Sequence, residues 1–195
     1  MKVILASRNA GKLREMNEIL SKYGMDVVSR DDAGIDTFEV EETGSTFEEN
    51  SYLKAKAIMD VTGCPTIADD SGLVVDALDG APGVYSARFA GEECDDDRNN
   101  ALLLEKMKDI PWEKRTARFV SVITMLFPDG KELVARGTVE GHIADGIYGT
   151  GGFGYDTLFI PEGYNDTFGI ISSDIKNSIS HRANALSKLE KLLDE

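Results

Sequence analysis

Two neighbouring carboxylates stand out among the residues whose chemistry could serve catalysis. Asp69 and Asp70 lie in the segment IADDSG, residues 67–72, where an apolar run meets polar residues. Adjacent side chains of a β-strand point to opposite faces, so only one of the two carboxylates can readily face a given cleft. An Asp at the end of a strand is also a common turn former. The segment therefore offers one candidate catalytic or metal-binding carboxylate, and a structural turn is the alternative.

A second acidic pair lies upstream, in the segment VEETG, residues 40–44. Carboxylate oxygens from two separate segments suit Mg²⁺, which fills its remaining coordination positions with phosphate and water. Neither acidic pair is specific by itself, but the two pairs are compatible with a site for this ion.

A cluster of cations and amides follows the first apolar run, in the segment ILASRNAGK, residues 4–12. The segment is not a P-loop, because Ala6 and Leu13 stand where that motif requires Gly and Ser or Thr. A strand that turns into a helix still presents free backbone N–H groups, and the Ser, Arg, Asn and Lys side chains add donors around them. Such a site suits phosphate, whereas a polar loop with solvated cations is the alternative.

The segment GTGGFGYD, residues 149–156, satisfies the pattern G-x-G-x-x-G. A dinucleotide fingerprint must open a helix, but this segment leads into the strand-like run TLFIP, so we exclude that function. The remaining interpretations are structural turns or a flexible loop that approaches a ligand closely and presents Phe153 and Tyr155 as stacking faces. Further along, KNSISHR, residues 176–182, gathers cations at a capped helix start, which suits an anion unless these side chains are ordinary surface.

The hydrophobic pattern predicts an α/β fold with a mixed sheet of long strands. Sequence positions 65–78 read as a strand that a polar turn interrupts. The other predicted elements are a strand at 2–6, a helix from about Gly11, a weak strand at 27–29, a capped helix before Gly63, a helix at about 96–108, two long strands joined by Pro-Asp-Gly, and a Ser-capped helix at the end.

Composition limits the partners that this chain can have. Its 195 residues are 42% hydrophobic, and we interpret positions 1–195 as a single domain. A net charge of −14 disfavours binding to nucleic acid polymers and to anionic membranes, so an anionic ligand must be small and held by a local cluster of cations. Two cysteines without C-x-x-C spacing and two histidines are too few for a zinc site. Without a long apolar run, and with a strand in place of a secretory h-region, we expect a cytoplasmic protein.

Taken in order, ASRNAGK, EETGSTFEEN, ADDSGLVVDALDGAPGVYSAR, GTGGFGYD and ISHR resemble the inosine/xanthosine triphosphate pyrophosphatase family, the non-canonical purine nucleoside triphosphate pyrophosphatases. The resemblance runs from about residue 1 to residue 190. It implies a homodimer whose elongated mixed sheet and helices form two lobes around a central cleft. It also implies Mg²⁺-dependent hydrolysis of dITP, ITP and XTP to the monophosphate and pyrophosphate, which would remove deaminated purines from the nucleotide pool.

The same resemblance implies roles for individual residues. Glu41 and Asp70 would bind the metal, and Asp70 would also be the base that activates water. The family commonly has Thr-Gly-Asn at the first motif, where this sequence has Ser7-Arg8-Asn9, so an extra cation stands beside the phosphates. The residues implied in substrate binding, from the phosphates to the base, are Ser7, Arg8, Asn9, Ala10, Gly11, Lys12, Ser71, Phe153, Gly154, Tyr155, Asp156, Lys176, His181 and Arg182.

Base choice would depend on hydrogen-bond polarity. Hypoxanthine and xanthine carry a 6-oxo acceptor that donors from Arg182, His181 or nearby backbone could pair with, whereas the amino group of adenine would leave such a donor unsatisfied. Asp156 would attract an amine, so we expect it to be engaged elsewhere, with Arg182 or with a backbone amide. Two alternatives stay open, namely a nucleotide pyrophosphatase for another base and a non-catalytic nucleotide sensor.

Overall fold

The computed structural model describes residues 1–35 and 40–195, which form two compact units. Unit 1 comprises Met1–Asp70, Ser121–Gly137 and Ala185–Glu195, and unit 2 comprises Ser71–Val120 and Thr138–Asn184. This division agrees with the two lobes that the family resemblance implies.

The predicted helices and strands are present, with small shifts at their ends. The strands are β1 (Lys2–Leu5), β2 (Asp26–Ser29), β3 (Thr66–Val75), β4 (Thr116–Leu126), β5 (Glu132–Ile143) and β6 (Phe159–Pro161). The α-helices are α1 (Ala10–Leu20), α2 (Phe47–Thr62), α3 (Asp96–Met107), α4 (Ser173–Ile179) and α5 (His181–Asp194). No helix among the described residues is long and apolar enough to cross a membrane.

The strands form one six-stranded sheet in the order β2-β1-β3-β4-β5-β6. Strand β1 pairs in parallel with both β2 and β3, whereas β5 and β6 are antiparallel. The predicted α/β fold with a mixed sheet is therefore confirmed. The glycine-rich segment leads into β6 rather than into a helix, which agrees with the exclusion of a dinucleotide fingerprint.

The predicted polar turn inside β3 is wrong. This strand runs without interruption through Asp69 and Asp70, and both residues are buried. An Asp favours a turn when its side chain bonds to the local backbone, but these two carboxylates pair with lysines from other elements. Long-range ion pairs thus replace the local bonds on which the turn prediction rests.

Each unit has its own hydrophobic core. In unit 1, Leu5 of β1, Met16 of α1 and Ile123 of β4 belong to one fully buried cluster. In unit 2, Phe119 and Phe159 pack with their ring centroids 4.7 Å apart inside a second cluster. Each unit therefore has a packed interior that supports the strands and helices at its surface.

Helix α2 begins and ends as its sequence predicts. Thr46 accepts a hydrogen bond from the Glu49 N–H, and the Glu49 carboxylate bonds back to the Thr46 N–H, which completes a capping box. The helix ends at Gly63, which has a left-handed conformation with φ +64°. These two ends fix the register of α2 and hence the position of Lys54 along it.

Candidate active site

The two carboxylates of β3 pair with different lysines in unit 1. Both oxygens of Asp69 accept from the Lys12 ammonium, at 2.9 and 2.8 Å. The Asp69 side chain is only 1% exposed, whereas that of Lys12 is 22% exposed. Alternation along the strand separates the neighbouring carboxylates, as expected, and Asp69 serves as a buried counter-ion that anchors a more accessible cation.

Asp70 takes part in a second cluster, with Lys54 of α2 and Glu42. The Lys54 ammonium donates to Asp70 Oδ1 at 2.9 Å and to Glu42 Oε1 at 3.1 Å. The other Asp70 oxygen, Oδ2, is buried and accepts no well-formed hydrogen bond from a described residue, although the Asn50 side chain also acts on this carboxylate. A buried carboxylate oxygen of this kind can accept a proton or bind a cation.

Burial controls the protonation of this second cluster. Desolvation raises the pKa of Asp70 above its ordinary value, although the Lys54 charge opposes the rise. Desolvation acts to lower the pKa of Lys54, but the charges of Asp70 and Glu42 outweigh it, so the Lys54 pKa is raised. Lys54 thus stays cationic at neutral pH, and Asp70 is a stronger base than an exposed carboxylate.

The acidic segment contributes Glu42, rather than the predicted Glu41, to this cluster. Glu41 is exposed, whereas Glu42 is partly buried and contacts Lys54. Gly44 lies close to helix α2, because its N–H donates to Asn50 Oδ1 at 2.8 Å and a Cβ at Gly44 would lie 2.6 Å from that oxygen. This close approach fixes the segment against α2 and determines which glutamate reaches Lys54.

The amino-terminal segment differs from its prediction in one respect. Asn9 caps α1, and its Oδ1 accepts from the N–H groups of Gly11 and Lys12 at 2.9 and 3.1 Å. These two backbone donors are therefore not free to bind phosphate, contrary to the prediction, because an Asn at the N-cap satisfies them itself. Ser7 supports the turn by accepting from the Asn9 N–H at 3.2 Å.

The extra cation of the first motif has an acidic partner. Arg8 Nε lies 3.2 Å from Asp31 Oδ1, and both side chains are about half exposed. An exposed ion pair of this kind is weak, so the Arg8 guanidinium can exchange Asp31 for a more highly charged anion. Ala10, another predicted residue, is the first residue of α1.

Several of the predicted site residues lie in unit 2, where they line a largely apolar cavity of about 170 Å³. It also includes residues that the sequence does not point to, among them Phe119, Ser86 and Asp96. The predicted residues that line the cavity are Ser71, Phe153, Gly154, Tyr155, Asp156, His181 and Arg182.

The two aromatic residues of the glycine-rich loop have different environments. Phe153 is 63% exposed, whereas Tyr155 is buried and its hydroxyl donates to the Ser86 carbonyl oxygen at 2.7 Å. Burial raises the pKa of Tyr155, so its hydroxyl remains protonated at neutral pH. Phe153 is therefore the accessible stacking face of this loop.

Asp156 accepts a hydrogen bond from a backbone amide, which is one of the two partners expected for it from the sequence. Its Oδ2 accepts from the Phe153 N–H at 2.9 Å and from the Lys176 ammonium at 2.5 Å. A Cβ at Gly152 would lie 2.1 Å from the same oxygen, so this position requires glycine. The Lys176 ammonium also lies 4.8 Å from the centroid of the Phe153 ring, which places a cation beside the stacking face.

His181 and Arg182 open helix α5 at the cavity wall. Ser180 caps the helix, since its hydroxyl oxygen accepts from the Ala183 N–H at 3.2 Å. The buried His181 ring stacks on Phe119 with centroids 5.1 Å apart. The cap and the stack orient two nitrogen-bearing side chains toward one cavity, as the sequence predicts.

Lys54 is the main functional candidate that sequence reasoning missed. Helix α2 buries a face formed by Phe47, Ala55 and Ile58, and the polar residues Asn50 and Ser51 are buried on it as well. Lys54 falls on the same side by helical spacing. Polar side chains on a buried helix face need partners, and that pattern is the signal that could have identified Lys54.

Comparison with known proteins agrees with the family resemblance. The model of the Ham1 family matches residues 3–192. The dITP/XTP pyrophosphatase of Exiguobacterium sibiricum is 54% identical over 99% of this chain and 97% of that protein. The dITP/XTP pyrophosphatase of Halalkalibacterium halodurans is 47% identical over 98% of each chain.

Solved structures match over nearly the whole length. The Staphylococcus aureus Ham1 protein has a TM-score of 0.93 and 44% identity, and the match covers 100% of this chain and 98% of that one. A Mycobacterium abscessus protein described as a nucleoside-triphosphatase / dITP/XTP pyrophosphatase has a TM-score of 0.84 and 44% identity, with 97% of each chain covered. With the family model and full-length relatives in agreement, this chain belongs to the Ham1 family.

Proposed function

We propose that this protein hydrolyses dITP, ITP and XTP to the nucleoside monophosphate and pyrophosphate. The observation that carries the proposal is the cluster of Asp70, Lys54 and Glu42. In this cluster the buried Asp70 carboxylate has a raised pKa and lies beside the Lys54 ammonium, which stays charged. Binding alone does not require such a group, so the cluster favours an enzyme over a nucleotide sensor. The names of the full-length relatives support the choice of substrate.

Asp70 is the proposed base. It takes a proton from the water, whose oxygen forms a bond to the α-phosphorus. The bond from that phosphorus to the oxygen that bridges to the β-phosphate breaks, and pyrophosphate leaves with the electron pair of that bond. A raised pKa suits this step, because a base is most effective when its pKa approaches the working pH. Lys54 holds Asp70 Oδ1, and Oδ2 keeps two lone pairs, of which one can receive the proton and the other can bind the metal.

The residues of this cluster fit a bound Mg²⁺. Hard carboxylate oxygens are its preferred ligands, and the unpartnered, buried Oδ2 of Asp70 has the character of a ligand atom. We propose Asp70 and Glu42 as the protein ligands, with Glu42 in place of the initially predicted Glu41. When bound, the ion would stabilise negative charge that develops on the phosphate oxygens.

Lys12 and Arg8 are the proposed phosphate contacts of unit 1. Lys12 is fixed by Asp69 yet partly exposed, so it can add a phosphate oxygen without reordering its side chain. Arg8 brings a guanidinium, which binds phosphate through a pair of N–H groups. These contacts do not sense the base, so they serve every triphosphate alike.

The cavity of unit 2 is the proposed base pocket. Phe153 offers a stacking face, and His181 and Arg182 offer donors for a 6-oxo group. Adenine presents an amino donor at that position, so one of these donors would be left unsatisfied. We therefore propose that ATP is a very poor substrate.

We further propose that the whole chain acts as one catalytic domain within a cytoplasmic homodimer. Several large apolar side chains of unit 2 are exposed, and their exposure supports a contact with another chain that would bury them. The cytoplasmic location is supported by the substrate, since nucleoside triphosphates are used there. The exposed residues are Trp112, Ile147, Tyr148, Tyr164 and Ile170.

Pyrophosphate release from ITP, XTP, GTP, ATP and dTTP in the presence of Mg²⁺ tests the proposal. We expect ITP and XTP to be hydrolysed and kcat/KM for ATP to be lower by roughly 10⁴-fold. Similar kcat/KM values for ATP and ITP would favour a pyrophosphatase for another base. Nucleotide binding without any pyrophosphate release would favour a sensor.

A further inference from the structure

Helix α3 holds the backbone of the glycine-rich loop at a single residue, Gly154. The Gly154 N–H donates to Asp96 Oδ2 at 2.8 Å, and Asn100 Nδ2 donates to the Gly154 carbonyl oxygen at 3.0 Å. Asp96 and Asn100 are four residues apart and therefore lie on the same face of the helix. Together they fix the peptide groups on both sides of the Gly154 Cα.

Gly154 needs such support because of its conformation. Its φ is +58°, in the left-handed region, and a glycine backbone has wide access to other conformations. On one side of Gly154, the buried Tyr155 is fixed by its hydrogen bond to Ser86. On the other side, the Phe153 N–H donates to Asp156 Oδ2 at 2.9 Å and the ring lies 4.8 Å from the Lys176 ammonium, but the ring is 63% exposed. The hydrogen bonds at Gly154 therefore act together with the Asp156 and Lys176 contacts to determine where the Phe153 ring points.

We propose that Asp96 and Asn100 are positioning residues for nucleotide binding. They fix Gly154 so that the Phe153 ring is already in place to stack on the base before the nucleotide arrives. This inference rests on the proposed function, because it takes the cavity of unit 2 as the base pocket. Without the two residues, the loop must be ordered during binding, and that entropic cost weakens the affinity.

Two features separate positioning from direct contact with the base. Asp96 is one of the residues that line the cavity, whereas Asn100 is buried and is not among them. A role in positioning predicts the same defect from loss of either residue. Direct recognition of the base predicts a defect from loss of Asp96 alone.

The test compares Asp96→Ala and Asn100→Asp with the wild-type enzyme. Asp96→Ala removes the acceptor for the Gly154 N–H, and Asn100→Asp replaces the donor with a carboxylate of similar size. The matched control is Asp97→Ala, an exposed acidic residue in the same first turn of α3. A conservative variant, Asp96→Asn, keeps an oxygen acceptor at the same place.

For both variants we expect KM for ITP to rise roughly three- to tenfold, as for loss of one hydrogen bond. We expect kcat to stay within about twofold, because the base pocket is not part of the hydrolytic cluster. Asp97→Ala and Asp96→Asn should both resemble the wild type. An unchanged KM in Asn100→Asp, or a defect in Asp97→Ala equal to that in Asp96→Ala, overturns the inference.

Amide hydrogen exchange at Gly154, measured by NMR without nucleotide, reports on the loop directly. We expect faster exchange in Asp96→Ala than in Asp97→Ala. Faster exchange with an unchanged KM overturns the positioning role and leaves the proposed function intact. A wild-type protein that hydrolyses no purine triphosphate, despite normal protection of Gly154, overturns the proposed function and with it the assignment of the loop to a base pocket.

Discussion

Asp69 and Asp70 are neighbours on one strand and are buried to nearly the same extent, yet they have different surroundings. Asp69 directs both oxygens to a single ammonium, that of Lys12. Asp70 directs one oxygen to Lys54, and its other oxygen accepts no well-formed hydrogen bond from a described residue. We infer from this difference that Asp69 anchors another side chain, whereas Asp70 has an oxygen available for the proposed proton transfer.

The lysines differ in the same way. Lys12 forms its ion pair with one carboxylate, that of Asp69, and is partly exposed, so it can reach a ligand. Lys54 lies between Asp70 and Glu42 and is less exposed, so its charge acts mainly on those carboxylates. We therefore propose that the Asp69–Lys12 pair binds phosphate and that the Asp70 cluster carries out hydrolysis.

The largest effect is expected for Asp70→Asn. This change keeps the size of the side chain but removes the proton acceptor and the charge that would bind the metal. We expect kcat for ITP to fall by roughly 10²–10⁴-fold, the usual loss for a general base. Steady-state kinetics would measure it, and a variant that kept more than about a tenth of the wild-type kcat would remove Asp70 from its assigned role.

A smaller effect is expected for Lys12→Ala, because it removes one charged hydrogen bond to a phosphate group. KM should rise by roughly 10–100-fold for every triphosphate tested. Thermal unfolding should be followed in parallel, since the change leaves the buried Asp69 carboxylate without its partner. Selective loss for one base would place Lys12 in the base pocket instead.

Glu42→Gln and Glu41→Gln form a matched pair that tests which glutamate serves the metal. We expect the Mg²⁺ concentration for half-maximal activity to rise about tenfold for Glu42→Gln, because one charged ligand is lost. Glu41→Gln should leave it within about twofold, since an exposed carboxylate away from the cluster contributes little. A larger rise in the required Mg²⁺ concentration for Glu41→Gln than for Glu42→Gln would identify Glu41 as the metal ligand.

The mildest of the four effects is expected for Asp69→Asn. An amide oxygen can still accept from Lys12, but it lacks the charge that holds the ammonium in place. We expect KM to rise by roughly three- to tenfold, with kcat within about twofold of the wild type. A fall in kcat as large as that of Asp70→Asn would mean that the two carboxylates share one role.

The sequence predicts the local structure well because local signals determine it. The Ser/Thr cap before α2 and the apolar periodicity act over a few residues, and the corresponding helices are confirmed. The uninterrupted β3 is the exception. Asp69 pairs with a lysine 57 residues away in the chain, and no local pattern contains that information.

In the candidate site, the residues of the sequence motifs could be predicted, whereas the residues that support them from another helix could not. Residues that the family resemblance implies in base binding, such as Phe153, His181 and Arg182, line a common cavity. The support behind them is less visible, because Asp96 and Asn100 resemble an ordinary acidic, polar helix start. Only tertiary structure brings that helix to Gly154 and identifies the contact.

A double-mutant cycle tests the central claim, that Asp69 acts through Lys12 whereas Asp70 acts separately. The kcat/KM for ITP would be measured for Lys12→Ala combined with Asp69→Asn and with Asp70→Asn, alongside each single variant. We expect Asp69→Asn to lower kcat/KM little further in the Lys12→Ala background, which corresponds to a coupling energy of about 1 kcal/mol between the two residues. We expect the losses of kcat/KM from Lys12→Ala and Asp70→Asn to multiply to within about twofold. Independent losses for Lys12 and Asp69, or strong coupling between Lys12 and Asp70, would contradict it.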